Sequence, residues 1–168
     1  MPLDRLWAGW RNEYVTETAR VAPPDSDQTL FETILASGLP DSATHVVWRG
    51  PTCFAILNRY PYTSGHLLIL PNRGVPDLDD LDADEFAELW ETVRAAAAAI
   101  RAAYTPDGLN IGVNIGRGAG AGVPDHLHVH VVPRWAGDTN FTTSVAETRV
   151  MPESLDVSFE RITSAWPS

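Results

Sequence analysis

Sulfur, positive charge and long apolar runs are what this chain has least of. Its 168 residues include one cysteine, Cys53, so no disulfide can close within the chain, which suits a reducing compartment. Lysine and arginine together number 12 against 22 aspartates and glutamates, for a formal charge of −10. That balance argues against a nucleic-acid or anionic-membrane surface. Attraction for an anionic ligand must then be local, from imidazoles, backbone N–H groups and a few arginines. No segment approaches the roughly 20 apolar residues that span a bilayer. The start, Met1-Pro2-Leu3-Asp4-Arg5, has no apolar run of signal length. The expectation is a cytoplasmic protein of one domain, residues 1–168, with a sizeable core.

An aromatic and charged arm, residues 1–21, and a polar loop, 22–28, open the chain. Leu30, Phe31, Ile34 and Leu35 recur at helical spacing before Gly38 and Pro40. His45–Arg49 and Cys53–Asn58 read as strands joined by a turn at Gly50-Pro51. His66–Leu70 is apolar on both faces and is expected at the centre of a sheet. Asp82 with Glu85 gives a capping-box start to a long helix, whose face is traced by Phe86, Leu89, Trp90, Val93, Ala97, Ile100 and Tyr104. Leu109–Ile115 alternates as a fourth strand, Gly116–Gly122 is a glycine-rich loop, and a short C-terminal helix follows Pro152 with Leu155, Phe159, Ile162 and Trp166. The sum is an α+β domain: a mostly antiparallel sheet of about five strands packed with one long and one short helix.

Three of the five histidines stand at His126, His128 and His130, alternating with Leu127, Val129 and Val131. On a strand the imidazoles share one side and the apolar residues the other. A bland polar face is one reading, but such faces usually carry Thr, Lys or Glu. A metal site is another, yet the roots of the first and third rings would lie on the order of 13 Å apart. A linear row best suits an extended anion such as a phosphate chain, with one imidazole attacking and its neighbours donating hydrogen bonds.

The run His126-Leu127-His128-Val129-His130-Val131-Val132 resembles the signature of the histidine-triad (HIT) superfamily of nucleotide hydrolases and transferases. The following stretch, Pro133 to Phe141, is similar to the branch that includes bacterial diadenosine tetraphosphate phosphorylases. The resemblance covers residues 6–162 and is strongest from Asn114 to Phe141. It implies the HIT-like α+β fold and a homodimer in which two sheets join. It also implies an enzyme that forms a nucleotidyl-histidine at the α-phosphate of an adenine-type nucleotide or dinucleotide.

By the same resemblance His128 is the nucleophile, and His126 and His130 hold phosphate oxygens or support the leaving group. His66 stands behind them as a fourth histidine. Asn58 is placed on the ribose hydroxyls, although a turn-forming Asn at a strand end is also open. Asn114 falls near the α-phosphate. Gly120 and Gly122 belong to a loop whose N–H groups could seat phosphate. Trp135 could stack on a purine, touch a distal phosphate, or be a core or dimer aromatic. The segment Gly122-Val123-Pro124-Asp125 lacks the hydroxyl that many HIT hydrolases place before the triad, which turns the expectation towards phosphorolysis, with inorganic phosphate as acceptor. A hydrolase of phosphoramidates or other nucleotides, and a silent nucleotide-binding module, are the alternatives. No cofactor is expected. Positions that carry a structural zinc in many bacterial relatives are Thr29, Glu32 and Gly74 here, so no zinc site is expected either.

Overall fold

The computed structural model describes residues 28–139 and 153–167; the arm over 1–21, Asn140 and Phe141 lie outside them. Five strands form one sheet: β1 (Val46–Arg49), β2 (Cys53–Leu57), β3 (Leu67–Pro71), β4 (Gly108–Val113) and β5 (Val129–Arg134). Their spatial order is β1-β2-β3-β5-β4, and every neighbouring pair is antiparallel. Among the described residues four α-helices accompany it: α1 (Leu30–Ala36), α2 (Asp41–Thr44), α3 (Ala83–Tyr104) and α4 (Leu155–Ala165). The long α3 connects β3 to β4 and covers one face. On that face Ala55, Ile69 and Val129 sit side by side in register and join Leu89, Val93, Ala96 and Ile100 in the main core. The other face carries Phe54, Ile56, Leu68 and Leu70, covered by Phe31, Ile34 and Leu35 of α1.

β3 is central, and each of its residues is buried. That is what a strand apolar on both faces requires. The capping box of α3 is present, with Asp82 accepting from the Asp84 and Glu85 amides and Glu85 accepting from the Asp82 amide. The buried stripe of this helix differs from the sequence expectation. Phe86 and Trp90 are exposed, at 46% and 39%. Leu89, Val93, Ala97 and Ile100 of the expected face are buried, joined by Ala96. The described residues contain no helix long and apolar enough to cross a membrane.

Candidate active site

The histidine run is only partly strand. β5 begins at Val129, so His126, at a bend, and His128 precede it, with the Leu127 amide between them held by the Val75 carbonyl at 2.6 Å. The alternation still holds: Leu127, Val129 and Val131 enter the α3-side core. His130 lies opposite Leu68, on the α1 side of the sheet. The ring of Phe31 stands 5.3 Å from His126 and 5.9 Å from His128, and the His128 and His130 rings are 5.0 Å apart. Phe31, His128 and His130 border a pocket of about 530 Å³ between α1, the sheet and the glycine-rich loop. Its walls are mainly apolar, from Leu30, Phe31, Ile34, Ile56 and Leu68. The polar side chains at its end include Asn58, His128 and His130. A few convergent polar groups in an apolar cleft is the usual make-up of a small-molecule site.

Each imidazole has a definite proton. His128 Nδ1–H donates to the backbone carbonyl of His126 at 2.8 Å. A carbonyl can only accept, so the neutral ring keeps its lone pair on Nε2, and the ring lines the pocket. Burial holds the His128 pKa below the ordinary imidazole value, partly opposed by that hydrogen bond. Neutral imidazole therefore dominates at pH 7. His66, fully buried just before β3, accepts the Tyr62 amide on Nδ1 at 3.1 Å. Its Nε2–H then donates to His130 Nδ1 at 3.0 Å. That leaves the His130 proton on Nε2, where the Asn114 carboxamide, 3.4 Å away, can take it only with its oxygen turned to the ring. The order Tyr62–His66–His130 thus sets the last ring as a hydrogen-bond donor.

Several expected site residues have other duties. His126 is completely buried and does not border the pocket. Its Nε2–H donates to the Pro71 carbonyl at 2.9 Å, and its Nδ1 accepts the Thr29 hydroxyl at 2.6 Å. With both nitrogens engaged it cannot hold a phosphate oxygen, contrary to the expectation from the sequence. Burial also depresses its pKa. Asn58 does line the pocket, but its Oδ1 closes a turn by accepting the Tyr60 amide at 3.0 Å. Trp135 packs edge-on to Tyr104, centroids 6.2 Å apart, and the pocket walls do not include it. Gly120 and Gly122 are in the wall. The loop is nevertheless not a ring of bare donors. A short 3-10 turn over Arg117–Ala119 forms within it, and the Ala119, Gly120 and Ala121 amides donate to Gly116 and Arg117 carbonyls. Gly116 and Gly120 permit that turn through positive φ of 75° and 92°. The chain has no lysine. Arg59 is the arginine on the pocket wall among the described residues.

Sequence reasoning missed Phe31 and Thr29, although Thr29-x-x-Glu32 is itself a capping-box pattern. Both halves of that box form. The Glu32 carboxylate takes the Thr29 amide at 2.7 Å and the Gly74 amide at 2.9 Å. These hydrogen bonds hold its pKa low, the Gly74 amide most strongly. Thr29, Glu32 and Gly74, where the resemblance placed a zinc site in other members, are tied into a hydrogen-bonded knot with His126. A side chain at Gly74 would also meet Thr29 Cγ2 at 2.6 Å. The donor set does not fit a tetrahedral zinc site.

The HIT domain family model matches residues 40–137. An AP-4-A phosphorylase of Mycobacterium tuberculosis (strain CDC 1551 / Oshkosh) is 38% identical over 165 residues, covering 98% of this chain and 85% of that protein. The asymmetrical bis(5'-nucleosyl)-tetraphosphatase of Schizosaccharomyces pombe is 37% identical over 95 residues, 56% of this chain and 52% of that one. Among solved structures, a zinc-bound histidine triad family protein from Mycobacterium smegmatis superposes with a TM-score of 0.66 at 29% identity, over 82% of this chain and 91% of that one. With its triad, fold and pocket in the arrangement described, the chain belongs to the HIT domain family.

Proposed function

We propose that the protein is a nucleotidyl-transferring enzyme that phosphorolyses adenine-type dinucleoside polyphosphates through a covalent intermediate on His128. The carrying observation is the His128 ring itself: Nδ1–H is fixed on the His126 carbonyl, and Nε2 is left unprotonated on the pocket wall. In the first step Nε2 attacks the α-phosphorus, the bond from that phosphorus to the bridging oxygen breaks, and the remaining nucleotide leaves. In the second, an oxygen of inorganic phosphate attacks the same phosphorus, the P–N bond breaks, and a nucleoside diphosphate departs with the imidazole regenerated. Two displacements on one phosphorus replace a single slower one. His130 Nε2–H donates towards oxygens that gain charge, which is where phosphoryl chemistry needs help most. The apolar walls around Phe31, Ile34 and Ile56 suit a nucleobase.

The AP-4-A phosphorylase relative supports this acceptor, and the tetraphosphatase relative names the competing outcome, hydrolysis. Incubating the purified protein with diadenosine tetraphosphate, with and without inorganic phosphate, separates them. ADP and ATP formed only when phosphate is present is the expected result. AMP and ATP at the same rate without phosphate would make it a hydrolase. Saturable binding with no product would make it a silent module.

A homodimer is part of the proposal. β4 is an edge strand with its outer hydrogen-bonding groups unpaired within the sheet, and Ile111 on it is 46% exposed. Among the described residues no strand pairs with that edge, and an unpaired edge is a pairing surface for another chain. Light scattering should give twice the chain mass, and Ile111→Arg should shift it towards the monomer. A monomeric wild-type protein at micromolar concentration would refute this part.

A further inference from the structure

We infer that Thr29 is a positioning residue for the reaction, acting through His126 to hold His128 in its reactive tautomer. The inference rests on His128 being the nucleophile. Thr29 lies 97 positions before His126 in the chain, yet its hydroxyl is 2.6 Å from His126 Nδ1. The opposite nitrogen faces the Pro71 carbonyl, which can only accept. His126 must therefore carry its proton on Nε2 and receive one from Thr29. The Thr29 hydroxyl in turn accepts the Glu32 amide at 3.3 Å, so its hydrogen is directed to the ring. Glu32 closes the circuit by taking the Thr29 and Gly74 amides.

The ring of His126 is thus pinned at both nitrogens, to helix α1 on one side and to the end of β3 on the other. Its backbone carbonyl is the acceptor for His128 Nδ1–H. Fixing that ring fixes the residue whose carbonyl selects the His128 tautomer. The same knot sets Phe31, two residues after Thr29, against both rings. No metal is needed for this: hydrogen bonds do the tying, and the donor set is specific to Thr29 with Glu32 and Gly74.

The test compares Thr29→Val, Thr29→Ser and Thr29→Asp. Valine keeps the shape and removes the donor. Serine restores the donor. Aspartate keeps a good helix cap but presents an acceptor to His126. Histidine tautomers are read by nitrogen NMR alongside kcat and KM. Wild type should show Nε2–H on His126 and Nδ1–H on His128. In Thr29→Val and Thr29→Asp, His128 should lose its single tautomer, and kcat should fall about tenfold to a hundredfold with KM nearly unchanged. Thr29→Ser should recover most of both.

A wild-type His126 protonated on Nδ1 would overturn the inference without any variant. So would Thr29→Val or Thr29→Asp with an unaltered His128 tautomer, or a loss that tracks thermal stability and is not recovered by serine. Should the protein turn over no dinucleotide, the proposed reaction fails on its own. The tautomer spectra still decide the role of Thr29.

Discussion

His128→Ala is expected to lower kcat by at least about 10⁴-fold while nucleotide affinity stays within a few-fold. In the proposed reaction the pocket offered to the nucleotide is made mostly by other side chains, chiefly Phe31, Ile34, Ile56, Leu68 and Asn58. Removing one imidazole from its end leaves those contacts standing. What disappears is the nucleophile that makes the first bond to phosphorus, and with it the intermediate that the second step consumes. His130 cannot substitute, because its Nδ1 is occupied by His66 and its Nε2 carries the proton. His126 cannot either, since both its nitrogens are bound to protein.

The same reading fixes a pH dependence for the wild type. A pKa lowered by burial keeps the nucleophile neutral further into acid. The acid limb of kcat should therefore fall below about pH 6.5, the value of an unperturbed imidazole. Steady-state rates and equilibrium binding of a non-cleavable analogue measure both quantities. Retention of turnover in the alanine variant, or an acid limb above neutral pH, would remove His128 from the mechanism.

Ile69→Ala should destabilise the fold by about 2–5 kcal/mol, read from chemical or thermal unfolding. Ile69 is fully buried on the central strand and stands between Ala55 and Val129 on the α3 side. Its neighbour Ala55 is already small, and the ladder on both sides fixes the strand spacing. The cavity therefore cannot collapse, which puts the cost towards the upper part of that range. Its strand neighbour Leu68 faces the pocket instead, so kcat below the melting transition should change little. A loss under about 1 kcal/mol would mean that the helix settles onto the sheet when the methyl groups go.

The sequence alone determined a good deal. The alternation at His126–His130 told which side chains go into the core, because a period of two leaves no choice once one face is buried. The capping box at Asp82 and Glu85 fixed where the long helix starts, and the doubly apolar run at 66–70 fixed which strand is central. These are local or one-dimensional properties, and they survive folding. The triad's membership in a known family was likewise legible in seven residues.

Tertiary structure decided the rest. Which residues of the apolar face of α3 are covered was decided by the fold: Leu89, Val93, Ala97 and Ile100 are buried, while Phe86 and Trp90 are exposed. The roles of the three histidines, alike in sequence, separated only when their partners were known. His126 meets Thr29 and Pro71, His128 meets a carbonyl, and His130 meets His66. An imidazole has two nitrogens and one proton when neutral, so its partners alone choose whether it attacks, donates or merely holds. Those partners come from residues up to 97 positions away, which only the folded chain brings together.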